Sequence, residues 1–216
     1  MPSEIERRYT RHAHRPTIEE RAGGKRSIVG YAAVFYDEND PGTEYRIWDD
    51  VVERIMPGAF DRAIKEDDVR GLFNHDDNLI LGRTGPGTMK LTVDKRGLRY
   101  EIEPPETTAA RDLLVSLGRG DVSGSSFAFK PDDTSYREQG KVYVIERRSV
   151  KLYDVGPVSF PAYTATEAEA RAVSAEQADR LRQEVQARRV QVPAGLHPTV
   201  AAALARAAAV ATILAE

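Results

Sequence analysis

Cysteine is absent from all 216 residues, which excludes disulfides, thiolate nucleophiles and thiolate zinc sites and permits a reducing compartment. Histidine is almost as scarce, with four copies, so any reaction that needs a base near neutral pH has few residues to draw on. Neither sign of charge dominates. The 31 basic and 34 acidic residues leave a net charge of -3, too small a field to steer the protein onto nucleic acid or anionic lipid. No uncharged apolar run reaches membrane-spanning length, and the opening MPSEIERRYTRHAHRPTIEE lacks the apolar stretch of a secretory signal. The expectation is a cytosolic protein with no membrane and no specific nucleic-acid partner.

The hydrophobic content of 41% is enough for a core, and the charged content of 30% is enough for a solvated surface. The chain length fits one ordinary domain with tails. Residues 1–25 are polar, interleave Arg7, Arg8, Arg11 and Arg15 with His12 and His14, and show neither strand nor helix period, so they read as a flexible N-terminal arm. From Ser27 the run SIVGYAAVFY opens a strand in which Gly30 marks a bulge or a close backbone approach. DENDPGTEY is a turn leading to the extended YRIWDDVVERI, and Pro57 in IMPGAFDRAIKE suits the first position of a short helix.

The middle third is strand-like, with MKLTVD and GLRYEIE as an alternating pair. A second helix follows in ETTAARDLLVSLGRG, with Thr107 or Thr108 as N-cap, Leu113, Leu114 and Leu117 on one stripe, and Gly118 as the stop. VSGSSFAF and KVYVIERRSVKLYDVGPVSF flank the polar turn PDDTSYREQG and form a long hairpin. Beyond residue 165 the composition shifts to charged and alanine-rich helical patterns with little bulk to bury. The domains expected are an arm at 1–25, a folded domain at 26–165 and a helical tail at 166–216.

Of the four histidines, only His75 is embedded in the segment that has a core, at the exit of a strand and before Asp76, Asp77 and Asn78. It is the candidate general base, and equally a structural histidine if no partner meets it. In GSSFAF, strand alternation puts Ser126 on the face opposite Phe127 and Phe129, while Ser125 shares the phenylalanine face. Ser126 is therefore the candidate hydroxyl nucleophile, its alternative being a solvent-facing filler. No GxSxG elbow is present, which argues against an α/β-hydrolase. One histidine beside two adjacent acids has no second spaced ligand group, so no metal or organic cofactor is called for.

The pieces GYAAVF, MPGAF, LFNHD followed by LGR, GLRYEIE, GSSFAF and KLYDVGPVSFPAYTAT, in this order over about residues 28 to 166, resemble the prohead protease family of tailed phages. That HK97-type family is similar in fold to the herpesvirus assemblins. The resemblance implies a serine endopeptidase that processes capsid and scaffold proteins inside the immature head, in the cytoplasm of the host cell. It places the family's histidine at His75 and its nucleophile at Ser126. Two departures stand out: Ala128 where many relatives have glycine, and LYDVG where LYEVS is more usual.

A third group is needed to orient His75, and of the two acids that compete for it Asp154 is the choice and Glu146 the alternative. Asp154 holds the acidic position of the LYDVG motif, whereas Glu146 lies on the partner strand beside Arg147 and Arg148, which are themselves available to support an oxyanion site. The elements point to an α+β fold, and the resemblance specifies a small, mostly antiparallel β-barrel with surrounding helices, assemblin-like, followed by the helical C-terminal tail. It also raises a homodimer, which the residues neither require nor exclude. The competing reading is a capsid-assembly scaffold protein that keeps this fold without cutting. A serine esterase stands last.

Overall fold

A computed structural model describes residues 5–10 and 15–159, together with the isolated helical positions Gln183, Val185 and Ala187. The tail expected over 166–216 lies outside the described residues apart from those three positions. The described chain runs β1 (Glu6–Thr10), β2 (Thr17–Glu20), β3 (Arg26–Val34), β4 (Glu44–Trp48), β5 (Val51–Ile55) and α1 (Ala63–Glu66). It continues through β6 (Arg70–Leu72), β7 (Ile80–Arg83), β8 (Met89–Val93), β9 (Gly97–Ile102), α2 (Thr108–Arg119), β10 (Gly124–Gln139) and β11 (Val142–Val158).

Two sheets result. The first has the order β1-β10-β11-β5-β4, with β6 added on β11 and β7 on β6; the second is the four-stranded β2-β3-β9-β8. This corrects the expected fold class. Among the described residues the architecture is mostly β: each sheet keeps free ends, so no closed barrel forms, and two α-helices are too few to surround one. The reason lies in the sequence. IMPGAFDRAIKE yields only the four-residue α1, because Gly58 at φ 92° turns the chain before a helix can start at Pro57. The β-rich hairpin instead takes 16 residues in β10 and 17 in β11.

Strand alternation sets the core. Leu98, Tyr100 and Ile102 of β9 point inward and are fully buried, while Arg99 and Glu101 between them pair with one another. They join Phe127 and Phe129 of β10, Leu152 and Val155 of β11, and Phe60 in a single apolar cluster. The Phe127 ring stacks on Phe129 at 4.9 Å and meets Phe60 edge-on at 5.6 Å. Each such buried side chain contributes about 1.5–3 kcal/mol. Gly30 is a close approach: a Cβ there would stand 2.5 Å from the Tyr100 hydroxyl.

Helix α2 packs Leu113, Leu114 and Leu117 on the cluster. Thr107 is its N-cap, accepting from the Ala110 N–H at 3.3 Å. It ends two residues beyond the expected Gly118, at Gly120, whose φ of 82° closes the final turn. Within the segment read as an arm, β1 pairs with β10 and β2 with β3.

Candidate active site

The β10–β11 register sets Ser126 opposite Gly156 and Ala128 opposite Asp154. Directly paired residues share a face and alternate residues return to it, so Ser126 and Asp154 project from the same side of the hairpin. Strand β6 runs parallel to β11 beside Asp154 and Val155. At its end the Leu72 backbone rides over Gly156, where a Cβ would lie 1.9 Å from the Leu72 carbonyl oxygen.

The loop that follows carries His75 onto this face. Asn74 and His75 both adopt left-handed backbone, at φ 55° and 57°. The Asn74 N–H donates to Pro157 O at 3.1 Å, its Oδ1 accepts from the Ser159 N–H at 2.8 Å, and its Nδ2 donates to Ser159 Oγ at 3.2 Å. Asp76 closes the other side of the loop by accepting from the Asn78 N–H at 2.8 Å.

His75 Nδ1 stands 2.5 Å from Asp154 Oδ1, and Nε2 stands 2.6 Å from Ser126 Oγ. A carboxylate only accepts, so Asp154 selects the tautomer with hydrogen on Nδ1 and leaves Nε2 free to accept from the Ser126 hydroxyl. The three groups are nearly closed to solvent, with side-chain exposures of 7% for His75 and 11% for Asp154. In this arrangement a hydroxyl can lose its proton to a base already oriented to receive it. The Tyr9 ring meets His75 edge-on at 6.2 Å.

The structure thus brings together His75, Ser126 and Asp154. Ser125 faces the other way, where its hydroxyl bonds the Tyr100 hydroxyl at 2.8 Å, and burial pushes the Tyr100 phenol above its ordinary range. Glu146 accepts from Ser135 at 2.9 Å, Arg137 at 2.8 Å and Arg148 at 3.3 Å. Burial opposes its ionisation, but these partners outweigh it and hold the carboxyl below the usual range. Arg147 is buried and donates to Glu53, Thr134 and Glu6.

In a comparison with known proteins, the family model of caudovirus prohead serine proteases matches residues 14–181. The chain belongs to this family. No curated protein and no solved structure matches it. The match takes in His75, Ser126 and Asp154 and begins after β1, so the strand that pairs with β10 beside Ser126 lies outside it.

Four further residues support the site without having been singled out from the sequence. Arg8 and Glu53 form a fully buried ion pair that Arg147 joins from the far side. Burial disfavours charge on all three, yet attraction between the two guanidinium groups and the carboxylates of Glu53 and Glu6 prevails, lowering the Glu53 carboxyl and raising both guanidinium groups. Asn74 carried a signal in retrospect, since asparagine is among the few side chains that tolerate left-handed backbone. Gly156 carried one as well, at the final position of the LYDVG departure.

Proposed function

We propose that this chain is the serine endopeptidase that cuts capsid proteins during phage head maturation, with Ser126 as nucleophile, His75 as general base and Asp154 as its orienting carboxylate. The observation that carries the reading is the continuous chain of hydrogen bonds from Asp154 through His75 to Ser126, at 2.5 and 2.6 Å. Family membership supports the same class of chemistry.

Ser126 Oγ attacks the substrate carbonyl while His75 Nε2 takes its proton, forming the C–O bond of a tetrahedral intermediate. Asp154 stabilises the resulting imidazolium. Collapse breaks the C–N bond as His75 returns the proton to the leaving amine, and an acyl ester remains on Ser126. Water, deprotonated by His75, then releases the acid and restores the hydroxyl.

The place of action is the assembling prohead in the host cytoplasm, and the substrates are the major capsid protein and the scaffold. The protease domain spans 26–165, with β1 and β2 of the preceding segment joined to its sheets, and the segment 166–216 is a tail open to self-cleavage. Homodimerisation belongs to the same reading, by analogy with the assemblins.

The test is to express the wild-type chain and Ser126→Ala with the cognate capsid protein and weigh every product intact. Trimming of the wild type and capsid cleavage, both lost in Ser126→Ala, is the expected result. Equal products from the two chains overturn the assignment of Ser126. Full-length products from both favour a non-cleaving assembly protein.

A further inference from the structure

We propose that Gly156 is a positioning residue for this reaction, setting the reach between Asp154 and His75. The inference rests on the reading of Asp154, His75 and Ser126 as the catalytic trio. Asp154 is short, with one methylene between its backbone and its carboxyl, and it stays on β11. For that carboxyl to meet His75 Nδ1 at 2.5 Å, the His75 loop must come down to the strand rather than the side chain rise to the loop.

The descent takes place at Gly156. The side chain of a residue there would project from the same face as Asp154 and Ser126, because it is two residues from Asp154 and paired with Ser126. That space is filled by backbone. A Cβ at 156 would stand 1.9 Å from Leu72 O, 2.9 Å from Leu72 C and 3.2 Å from Leu72 N. Backbone atoms at this distance do not swing aside as the end of a flexible side chain does.

The His75 loop is also anchored to β11 just past the crossing, through Asn74 to Pro157 and Ser159. Its height over the strand is therefore set at two points, Leu72 and Asn74, in the three residues that lead to His75. Any side chain at 156 lifts Leu72 by about 1 Å before the contact leaves the range that real Cβ atoms avoid, below 3.0 Å. His75 is three residues further on, and its bond to Asp154 stretches with it.

The magnitudes suggest their own compensation. Replacing aspartate by glutamate extends the carboxyl by one carbon–carbon bond, roughly 1.5 Å, comparable to the lift. A longer acid at 154 then recovers the contact that a side chain at 156 breaks, while in the native background it overshoots.

The experiment compares wild type, Gly156→Ala, Asp154→Glu and the double variant, using cleavage of a capsid-derived peptide and the downfield NMR signal of the His75 Nδ1 proton. Gly156→Ala is expected to lower kcat on the order of a hundredfold with little change in KM, and to lose the downfield signal. Asp154→Glu alone is expected to lower kcat about tenfold, and adding it to Gly156→Ala to raise kcat about tenfold above that variant. A double variant no better than Gly156→Ala overturns the proposal and leaves Gly156 as a packing residue. If Gly156→Ala does not fold, Asp154→Glu alone decides: unchanged kcat and an unchanged signal show that reach is not constrained. The proton signal also separates this inference from the functional reading, since it reports the Asp154–His75 contact even in a chain that cleaves nothing.

Discussion

The Ser126 hydroxyl lies 2.9 Å from the main-chain oxygen of Arg8, across the pairing of β1 with β10. A hydroxyl has one hydrogen, so Ser126 donates either to His75 or to Arg8, and only the first choice leaves the oxygen ready to attack. The strand that offers the second acceptor is held by the buried Arg8–Glu53 pair, which ties the N-terminal segment to β5.

Glu53→Gln removes the fully buried charge shared by Arg8 and Arg147 and leaves them only the carboxylate of Glu6 at the edge of the cluster, so this substitution is expected to cost up to about 3–5 kcal/mol. A urea denaturation midpoint lowered with unchanged slope is the outcome sought. A loss under about 1 kcal/mol would show that water reaches the cluster and screens it.

The same carboxylate gives stability a pH dependence. Its folded value lies below the ordinary 4.5 because Arg8 and Arg147 outweigh burial. The unfolded chain therefore takes up a proton first, and the contribution of Glu53 is complete above about 4.5 and declines as pH falls below it toward the folded value. Thermal unfolding between pH 6 and pH 3 should show this decline, and Glu53→Gln should flatten it.

Ser125→Ala separates the two serines. It removes the only hydrogen bond described for the buried Tyr100 hydroxyl, so a stability loss of about 1–3 kcal/mol is expected with cleavage retained at a temperature where the chain stays folded. Loss of cleavage at full stability would transfer the nucleophile's role to Ser125.

Asn74 serves twice, as a residue that accepts left-handed backbone and as the clamp on Ser159. Asn74→Gly keeps the first property and loses the second, and is expected to fold normally with kcat about tenfold lower. Asn74→Ala loses both and should be a further 1 kcal/mol or so less stable than the glycine variant. Side-by-side kinetics and denaturation of the two resolve the contributions, and identical stabilities would contradict a left-handed Asn74 in solution.

Much of the site was legible one strand at a time. Period 2 in GSSFAF separated Ser126 from Phe127 and Phe129, and the scarcity of histidine left His75 as the one base within a core. The choice of Asp154 over Glu146 rested on motif resemblance, because strand pattern does not reveal register. Both are acids on β11, but Asp154 falls opposite Ala128, two residues from Ser126, and Glu146 opposite Ser135 far along the hairpin. The barrel expectation failed for a related reason. Strand patterns reveal faces, whereas closure depends on which edges meet, and here β1 and β4 end one sheet while β2 and β8 end the other.

Composition and local pattern alone determined that this chain has no thiol chemistry, that its middle third is built from strands, and that one serine and one histidine stand out. Those properties follow from residue identity and from a repeat of two along the backbone. Tertiary structure alone decided that Arg8, from a segment with no legible period, is buried beside Ser126 on a pair with Glu53, 45 residues away. It alone decided that Leu72 crosses Gly156 closely enough to bring His75 down to Asp154. Such contacts join residues far apart in the chain, and no local periodicity encodes them; they exist only once the sheet has paired and the buried charges have found one another.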